Sequence, residues 1–461
     1  MDRSSSSPSE LYQAQAAFFA TGATRDLAFR RHAIKTLIAA IQKNEERIIA
    51  ALWKDLRKSP TAVYTGEILL ILQEAAYVLN NLEKWAAPQK ARSPFFFPMT
   101  ASTILKEPYG SVLIISPYNV PFVGTFTLLI GAIASGNCAT VKVSEISEHS
   151  AEVALAIIRE AFPPNYIAGV TGDAEYSQKL LEVPFDFVFF MGSTTVGKSV
   201  MAACAKHPSP VALQLSGKCP AIVDTSASID AAAKRIVWGK FLNAGQECVA
   251  IDHVYVPLEK KALLITALKK YIREFYGENP QESSDYERII NKRYFDRITR
   301  FLSEGTIVSG GKTDSDDLYI EPTIIDDLPE NALASQEEIF GPILPLFTYA
   351  STDTLLSEIR KKTTPLAIYV FSNNTTFQER ILRGTVSGSV CINDALIHNA
   401  SFYVPVGGVG ASGFGRIHGK YTFEMFSRLR TILKRSPTLD LPGRFPPANE
   451  KLLPLMRKFL G

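Results

Sequence analysis

The chain has 461 residues, enough for two or three domains around a large shared core. Hydrophobic residues make up 46% and charged residues 21%, the balance of an ordinary globular protein. The net charge of +3, with no block of Lys and Arg, gives no electrostatic basis for binding nucleic acid or an acidic membrane surface.

The chain opens MDRSSSSPSE, which lacks the apolar stretch of a signal peptide. Helices are expected over the first 85 residues, because Ile34, Leu37, Ile38 and Ile41 keep helical spacing, as do Leu72, Ala75, Leu79 and Leu82. The stretch KARSPFFFPMTAS (90–102) breaks that pattern with two prolines and three phenylalanines. From residue 103 strands and helices alternate. SVLIIS (111–116), ATVKV (139–143), FDFVFF (185–190) and AIVD (221–224) read as strands, and HSAEVALAIIREAF (149–162) as a helix between two of them. Nearly continuous apolar strands separated by helices predict a buried parallel sheet. A second series follows Cys248: HVYV (253–256), TIVSG (306–310), PLFTYA (345–350), LAIYVF (366–371) and SVCIN (389–393). The fold class is therefore α/β with two lobes, and the boundary is expected near residues 215–245.

The longest apolar runs, such as VLIIS (112–116) and FTLLIGAIA (126–134), fall short of the roughly 18 residues of a transmembrane helix. No integral membrane segment is expected, and the expected location is the cytoplasm. The last 26 residues are Pro-rich and end in NEKLLPLMRKFL, where Leu452, Met456, Phe459 and Leu460 fit one face of a helix docked on its own protein. Five cysteines, Cys138, Cys204, Cys219, Cys248 and Cys391, form no CxxC pair and read as thiols of a reducing compartment. Six scattered histidines form no HxxxH or HExxH pair, so no metal site is expected.

Four stretches carry chemistry. MGSTTVGKS (191–199) fits the phosphate-loop pattern between a strand and a helix. Three consecutive β-branched residues, Thr194, Thr195 and Val196, conflict with a loop that must wrap a phosphate. The milder reading is a helix N-terminus facing a pyrophosphate. GVGASGFG (408–415) reads as a chain turn. In FLNAGQECVA (241–250) Cys248 lies in a polar loop leaving a helix; spacing alone leaves a nucleophile and a small core thiol both open. In IISPYNVPF (114–122) Asn119 follows a strand, where its amide either donates to an oxyanion or caps the next helix.

Taken together, IISPYNVPF, GAIASGNCATVKVSE (131–145), FFMGSTTVGK (189–198), LQLSGKCPAIVD (213–224), FLNAGQECVA, EEIFGPILPL (337–346) and VGGVGASGFGRIHGKYTFEMFS (406–427) resemble the NAD(P)-dependent aldehyde dehydrogenases, most closely their class 3 branch. The resemblance implies a Rossmann-type cofactor domain (1–89 and 109–214), a second α/β catalytic domain (215–400), a small β arm for oligomerisation (90–108 and 401–435), a tail (436–461) and a homodimer. It implies Cys248 as nucleophile, with Asn119 and the Cys248 N–H around the oxyanion. Lys142 and Glu145 would hold the adenosine ribose of NAD or NADP. Gly192, Ser193 and Val196 would run along its pyrophosphate and adenine, with Glu338 on the nicotinamide ribose and Phe340 packed beside it. Tyr118, Val120, Phe122, His398, Phe402 and Tyr403 are the candidates for the substrate pocket, and ordinary packing is the alternative for each.

The implied chemistry runs through a thioester on Cys248 that water must hydrolyse. The family's usual motif is Glu-Leu-Gly-Gly-Lys, whose glutamate activates that water. Here Gln214 stands in its place and Ser216 replaces the first glycine. An amide cannot accept a proton at neutral pH. Its presence is expected to slow hydrolysis more than hydride transfer, since a thiol of low pKa ionises unaided. Glu338 is a second candidate base. Ser144, Ile251, His253 and Val406 also depart from the family pattern. Three readings follow: an oxidoreductase acting on aromatic or medium-to-long aliphatic aldehydes, an enzyme passing the acyl group to a thiol such as coenzyme A, or a weakened cofactor-binding homologue.

Overall fold

The computed structural model describes residues 7–93, 99–329, 331–438, 445–447 and 450–460. Helices Pro8–Ala20, Leu27–Lys43, Glu45–Leu56 and Leu69–Ala86 fill the first 85 residues, as the periodicity predicts. Their starts are marked in the sequence: Ser7 and Glu10 form a capping box, and the Asp26 carboxylate accepts from the Ala28 N–H. A helical run beginning at Pro60 joins the fourth helix through a π-turn at Tyr64–Ile68. The whole run, Pro60–Ala86, is long and apolar enough to cross a membrane by length and composition, which the shorter runs considered above are not. Its Ile71, Ala75, Val78, Leu82 and Trp85 are buried in the first hydrophobic core, the packing of one face of an amphipathic helix.

That core surrounds a six-stranded sheet in the order Gly413–Phe414, Val211–Leu215, Phe187–Gly192, Ser111–Ile115, Cys138–Lys142, Ile167–Val170. All neighbours pair in parallel except the two-residue edge strand Gly413–Phe414. The helix Val123–Ser135 crosses behind it and is almost wholly buried. Gly131 lets it meet the helix Gly419–Met425, because a Cβ there would lie 2.2 Å from Cγ2 of Thr422.

The second sheet has seven strands, Thr306–Ser309, Thr323–Asp326, Ile343–Tyr349, His253–Pro257, Pro220–Val223, Ala367–Phe371 and Ser389–Ile392. The chain leaves the first sheet at Leu215 and enters the second at Pro220. The stretch Ser216–Cys219 is thus the crossing between lobes, and AIVD belongs to the centre of the second sheet rather than to the first series. Strands Val211–Leu215 and Ile167–Val170 escape the pattern reading: one is interrupted by Gln214, and the other is four residues long and contains Gly169.

Gln89–Ala91, Thr100–Pro108 and Ser427–Arg435 make a separate three-stranded sheet, with a nine-residue antiparallel ladder from Thr100–Arg435 to Pro108–Ser427. The segment 401–435, expected to belong wholly to the arm, divides. Gly413–Phe414 closes the first sheet, Gly419–Met425 packs on the helices Val123–Ser135 and Leu69–Ala86, and Ser427–Arg435 alone joins the arm. Residues 94–98, with the aromatic and proline break, and 1–6 lie outside the described residues. The tail forms a short helix, Leu453–Leu460; the side chains of Leu452, Met456, Phe459 and Leu460 lie outside the description.

Candidate active site

In the first sheet the strand order reverses at Ser111–Ile115: the next strand in the chain lies on one side of it and Phe187–Gly192 on the other. A crevice at the carboxyl ends of such strands is where a dinucleotide fits. Lys142, at the end of its strand, is buried and its ammonium pairs with Glu145, whose side chain is 42% exposed. Gly192 ends the strand on the other side of Ser111–Ile115; Ser193 caps the next helix, its hydroxyl accepting from the Val196 N–H at 3.4 Å. Val196 is 49% exposed, an apolar surface for a flat ring beside a helix N-terminus. These five residues share one rim, and their chemistry fits a dinucleotide cofactor.

The loop carrying Cys248 is held against its own backbone preference. Asn243, Ala244 and Gly245 are consecutive left-handed residues, at φ 54°, 50° and 74°. For Ala244 that costs about 1 kcal/mol. Gly245 is required twice over, since a Cβ there would lie 2.4 Å from the Gly341 carbonyl oxygen. Buried Gln246 pins the loop: its amide donates to the carbonyls of Asn243 (3.0 Å) and Arg288 (2.9 Å) and accepts from the Ile290 N–H (3.1 Å). Cys248 follows in a turn and is half-buried, unlike the other four cysteines, which are buried.

Asn119 lies against this loop. Its amide donates to the Gln246 carbonyl at 2.8 Å and to the Glu247 carboxylate at 3.3 Å. The helix-cap alternative fails: Glu67, turned inward by the π-turn, accepts from the N–H groups of Phe122 and Val123 at 2.9 and 3.0 Å. Glu67 also pairs with buried Lys58, which donates to the Asn119 carbonyl at 3.1 Å. For Asn119 to serve an oxyanion, the longer bond to Glu247 must open.

Gln214 is the next-to-last residue of the strand Val211–Leu215. Its side chain is buried and makes no hydrogen bond to another group among the described residues. Two residues later the Ser216 hydroxyl donates to Oε1 of Glu338. Lys218 pairs with Asp252 at 2.5 Å and donates to the carbonyls of Ala334 (2.9 Å) and Glu337 (2.7 Å). Asp252 also accepts from the Ile339 N–H at 2.9 Å. The loop bearing Glu338 and Phe340 is thereby tied to the crossing between lobes. Phe340 sits at φ 47°, with its ring 6.0 Å from that of Tyr118.

Burial pushes the Glu338 carboxyl up to about 7, partly offset by the Ser216 hydrogen bond. The Cys248 thiol is raised well above the ordinary range, first by burial and then by the charges of Glu247 and Glu338. The expectation of a thiol that ionises unaided is therefore corrected: negative neighbours and desolvation disfavour the thiolate, and a proton acceptor is needed.

The pocket candidates separate. Phe122 is fully buried against Phe126 in the first core, so it lines no open pocket. Tyr118 is enclosed between the rings of Tyr294 and Phe340, on the Glu338 side. Phe402 and Tyr403 stack on each other at 4.5 Å and on Tyr77, with Tyr403 64% exposed. His398 lies 5.9 Å from the Tyr369 ring with both ring nitrogens buried and unpartnered, and burial lowers it to about 4.

Two features went unread in the sequence. Glu247, next to the nucleophile, is raised to about 7 by burial and shares Lys58 with Glu67 and Glu287. Arg297 donates to the carbonyls of Glu338 (3.1 Å) and Ile339, and with Arg293, Tyr294, Asp296 and Arg300 it lines a cavity of about 500 Å³. The signal was the basic run NKRYFDRITR, whose Arg293 and Arg297 fall on one helix with Arg300 at its C-cap. Among the described residues no group of three or more His, Cys, Asp or Glu side chains is arranged to hold a metal ion.

The sequence profile of the aldehyde dehydrogenase family matches residues 8–432. The 4,4'-diaponeurosporen-aldehyde dehydrogenase of Staphylococcus aureus is 44% identical over 437 residues, 94% of this chain and 95% of that protein. Aldehyde dehydrogenase family 3 member A2 of Rattus norvegicus is 39% identical over 444 residues, 96% of this chain and 92% of that protein. Among solved structures, the substrate-bound state of Staphylococcus aureus AldH superposes with a TM-score of 0.96 at 42% identity, covering 98% of this chain and 99% of the other. An indole-3-acetaldehyde dehydrogenase in complex with NAD+ has a TM-score of 0.84 at 22% identity over 93% of this chain and 89% of its own, a likeness of fold.

Proposed function

The chain belongs to the aldehyde dehydrogenase family and is an NAD(P)-dependent oxidoreductase that oxidises aldehydes, and from that premise we propose that it works through a thioester on Cys248. The observation that carries this reading is the strained, pinned loop that brings Cys248, alone among the five thiols, to a half-open position beside Asn119 and within the field of Glu338. The Cys248 sulfur attacks the aldehyde carbon as its proton passes to a carboxylate. The Asn119 amide and the Cys248 N–H stabilise the oxygen charge that develops. Bound NAD(P) supplies the hydride acceptor. Lys142 and Glu145 hold its adenosine ribose, Gly192, Ser193 and Val196 border its phosphates and adenine, and Glu338 with Phe340 orients its nicotinamide end. Gln214 orients water without taking its proton.

Intact-protein mass spectrometry after mixing with decanal and NAD tests this. An acyl mass on Cys248 that outlives NADH formation is the expected result. Unmodified protein with no NADH formed would sink the covalent reading. Acyl transfer to a thiol remains a second reading, favoured by one observation: the uncharged, unpartnered Gln214 where hydrolysis calls for a base.

The Phe402–Tyr403 pair against Tyr77, with Tyr403 exposed, supports an apolar aldehyde, aromatic or medium-to-long aliphatic. The S. aureus relative is named for a diaponeurosporen aldehyde, which agrees. Glu145 would meet a 2′-phosphate with like charge, so NAD is expected to bind at least as well as NADP. Fluorescence titration of each nucleotide checks this, and clearly tighter NADP binding would refute it. The arm ladder, with Leu429, Ile432 and Leu433 exposed, supports a homodimer, and five free thiols support the cytoplasm.

A further inference from the structure

Positions 214 and 216 both depart from Glu-Leu-Gly-Gly-Lys, and the structure shows what the second change does. A glycine at 216 has no hydroxyl; Ser216 has one, and it crosses from the first lobe to meet Oε1 of Glu338 in the second. The Glu338 backbone is already fixed. Arg297 donates to the carbonyls of residues 338 and 339, Lys218 to that of 337, and Asp252 accepts from the Ile339 N–H. The reach of the side chain is the freedom left, and Ser216 removes it. Among the described residues no donor meets Oε2, so its lone pairs stay available. The loop before Cys248 packs on the loop after Glu338, since a Cβ on Gly245 would lie 2.4 Å from the Gly341 carbonyl oxygen, and the charge of Glu338 is among those that raise the Cys248 thiol.

We propose that Ser216 is a positioning residue: its hydroxyl holds the Glu338 carboxylate beside Cys248, and Glu338 so held accepts the proton in thioester hydrolysis that the amide at 214 cannot. The inference rests on the thioester reading above. Water oxygen adds to the thioester carbonyl as its proton passes to Oε2 of Glu338. The carbon–sulfur bond then breaks, the carboxylic acid leaves, and the Cys248 sulfur takes the proton back from Glu338.

A base works only when deprotonated, so hydrolysis rises with pH through the Glu338 midpoint, near 7. Lys218 and Arg297 hold that midpoint down alongside Ser216, while Asp252 pushes it up. Lys240, the Cys219 thiol and Tyr118 also face the carboxyl and are common to every variant below. Removing the hydroxyl takes a donor from the charged form and moves the midpoint up by about one unit, roughly fivefold slower hydrolysis at pH 7 and little change at pH 9.

The test follows deacylation alone. The dimer or monomer as purified is acylated with p-nitrophenyl acetate without nucleotide, and loss of the acyl mass is timed from pH 6 to pH 9. Ser216→Ala and Ser216→Gly are expected to shift the profile upward, Ser216→Thr to restore it, and Glu338→Gln to flatten it and slow hydrolysis about 10²-fold. Nitrophenolate release shows that each variant is folded and acylates. Wild-type profiles in Ser216→Ala and Ser216→Gly, or an unchanged midpoint in Glu338→Gln, overturn the inference while leaving the thioester standing. Absence of any acyl mass on wild-type Cys248 removes the thioester reading itself, and this inference with it.

Discussion

Cys248→Ala is expected to abolish aldehyde-dependent NADH formation, a loss of at least about 10⁴-fold, while the protein still binds nucleotide. The size follows from the absence of a substitute. Cys138 and Cys219 are fully buried, and Cys204 and Cys391 are 5% and 7% exposed. Burial also raises the thiol of Cys138 to about 12 and that of Cys391 to about 11, and, unlike half-open Cys248, neither is accessible to an aldehyde. Alanine at any of those four is expected to keep most of the activity. The Cys248 thiol is itself raised, so the wild-type rate of acylation should climb with pH above neutrality. Steady-state NADH production from each of the five variants decides the matter: activity retained by Cys248→Ala, with the other four also active, would mean that aldehyde oxidation here needs no covalent sulfur.

Much of this was legible in residue order, for physical reasons that can be named. The inner strands of both sheets are buried on two faces, so they are nearly continuous apolar runs, and SVLIIS, FDFVFF and LAIYVF announce themselves. Val211–Leu215 did not, because Gln214 sits inside it: the residue that carries the chemical question also breaks the pattern that would have marked its strand. Cys248 stood out through its polar loop and its place in the family motif, and the left-handed triplet before it explains the need for Asn243 and Gly245. The state of the thiol was not legible. It depends on burial and on Glu338 arriving from a distant loop as well as on adjacent Glu247, and spacing reveals neither the burial nor the approach of Glu338. The same holds for Phe122, which shares a motif with Asn119 yet points into the core, and for Arg297, whose partners lie some forty residues on.

Gln214→Glu is expected to speed thioester hydrolysis about ten- to a hundredfold and to change the first NADH burst far less. In the wild type, stopped flow with aldehyde and NAD at pH 8 should show a burst of up to about one equivalent per site, then slow turnover, because acylation needs one proton removed from sulfur and hydrolysis needs a second removed from water. Gln214 is buried without a partner, so a glutamate enters without breaking a hydrogen bond. Its charge does meet opposition. Ser216, two residues on, donates to the Glu338 carboxyl, which burial already raises to about 7, and a carboxylate buried at 214 meets the same desolvation. The gain should therefore appear mainly above pH 7, where such a carboxyl is ionised in most molecules. Added coenzyme A or a simple thiol separates the two fates of the acyl group. If thiol speeds wild-type turnover as much as the glutamate does, the amide at 214 marks an enzyme built to hand its acyl group to sulfur. If only Gln214→Glu speeds it, water is the acceptor and the amide is what slows it. A wild type with no burst, unmoved by either change, would show that residue 214 does not govern deacylation at all.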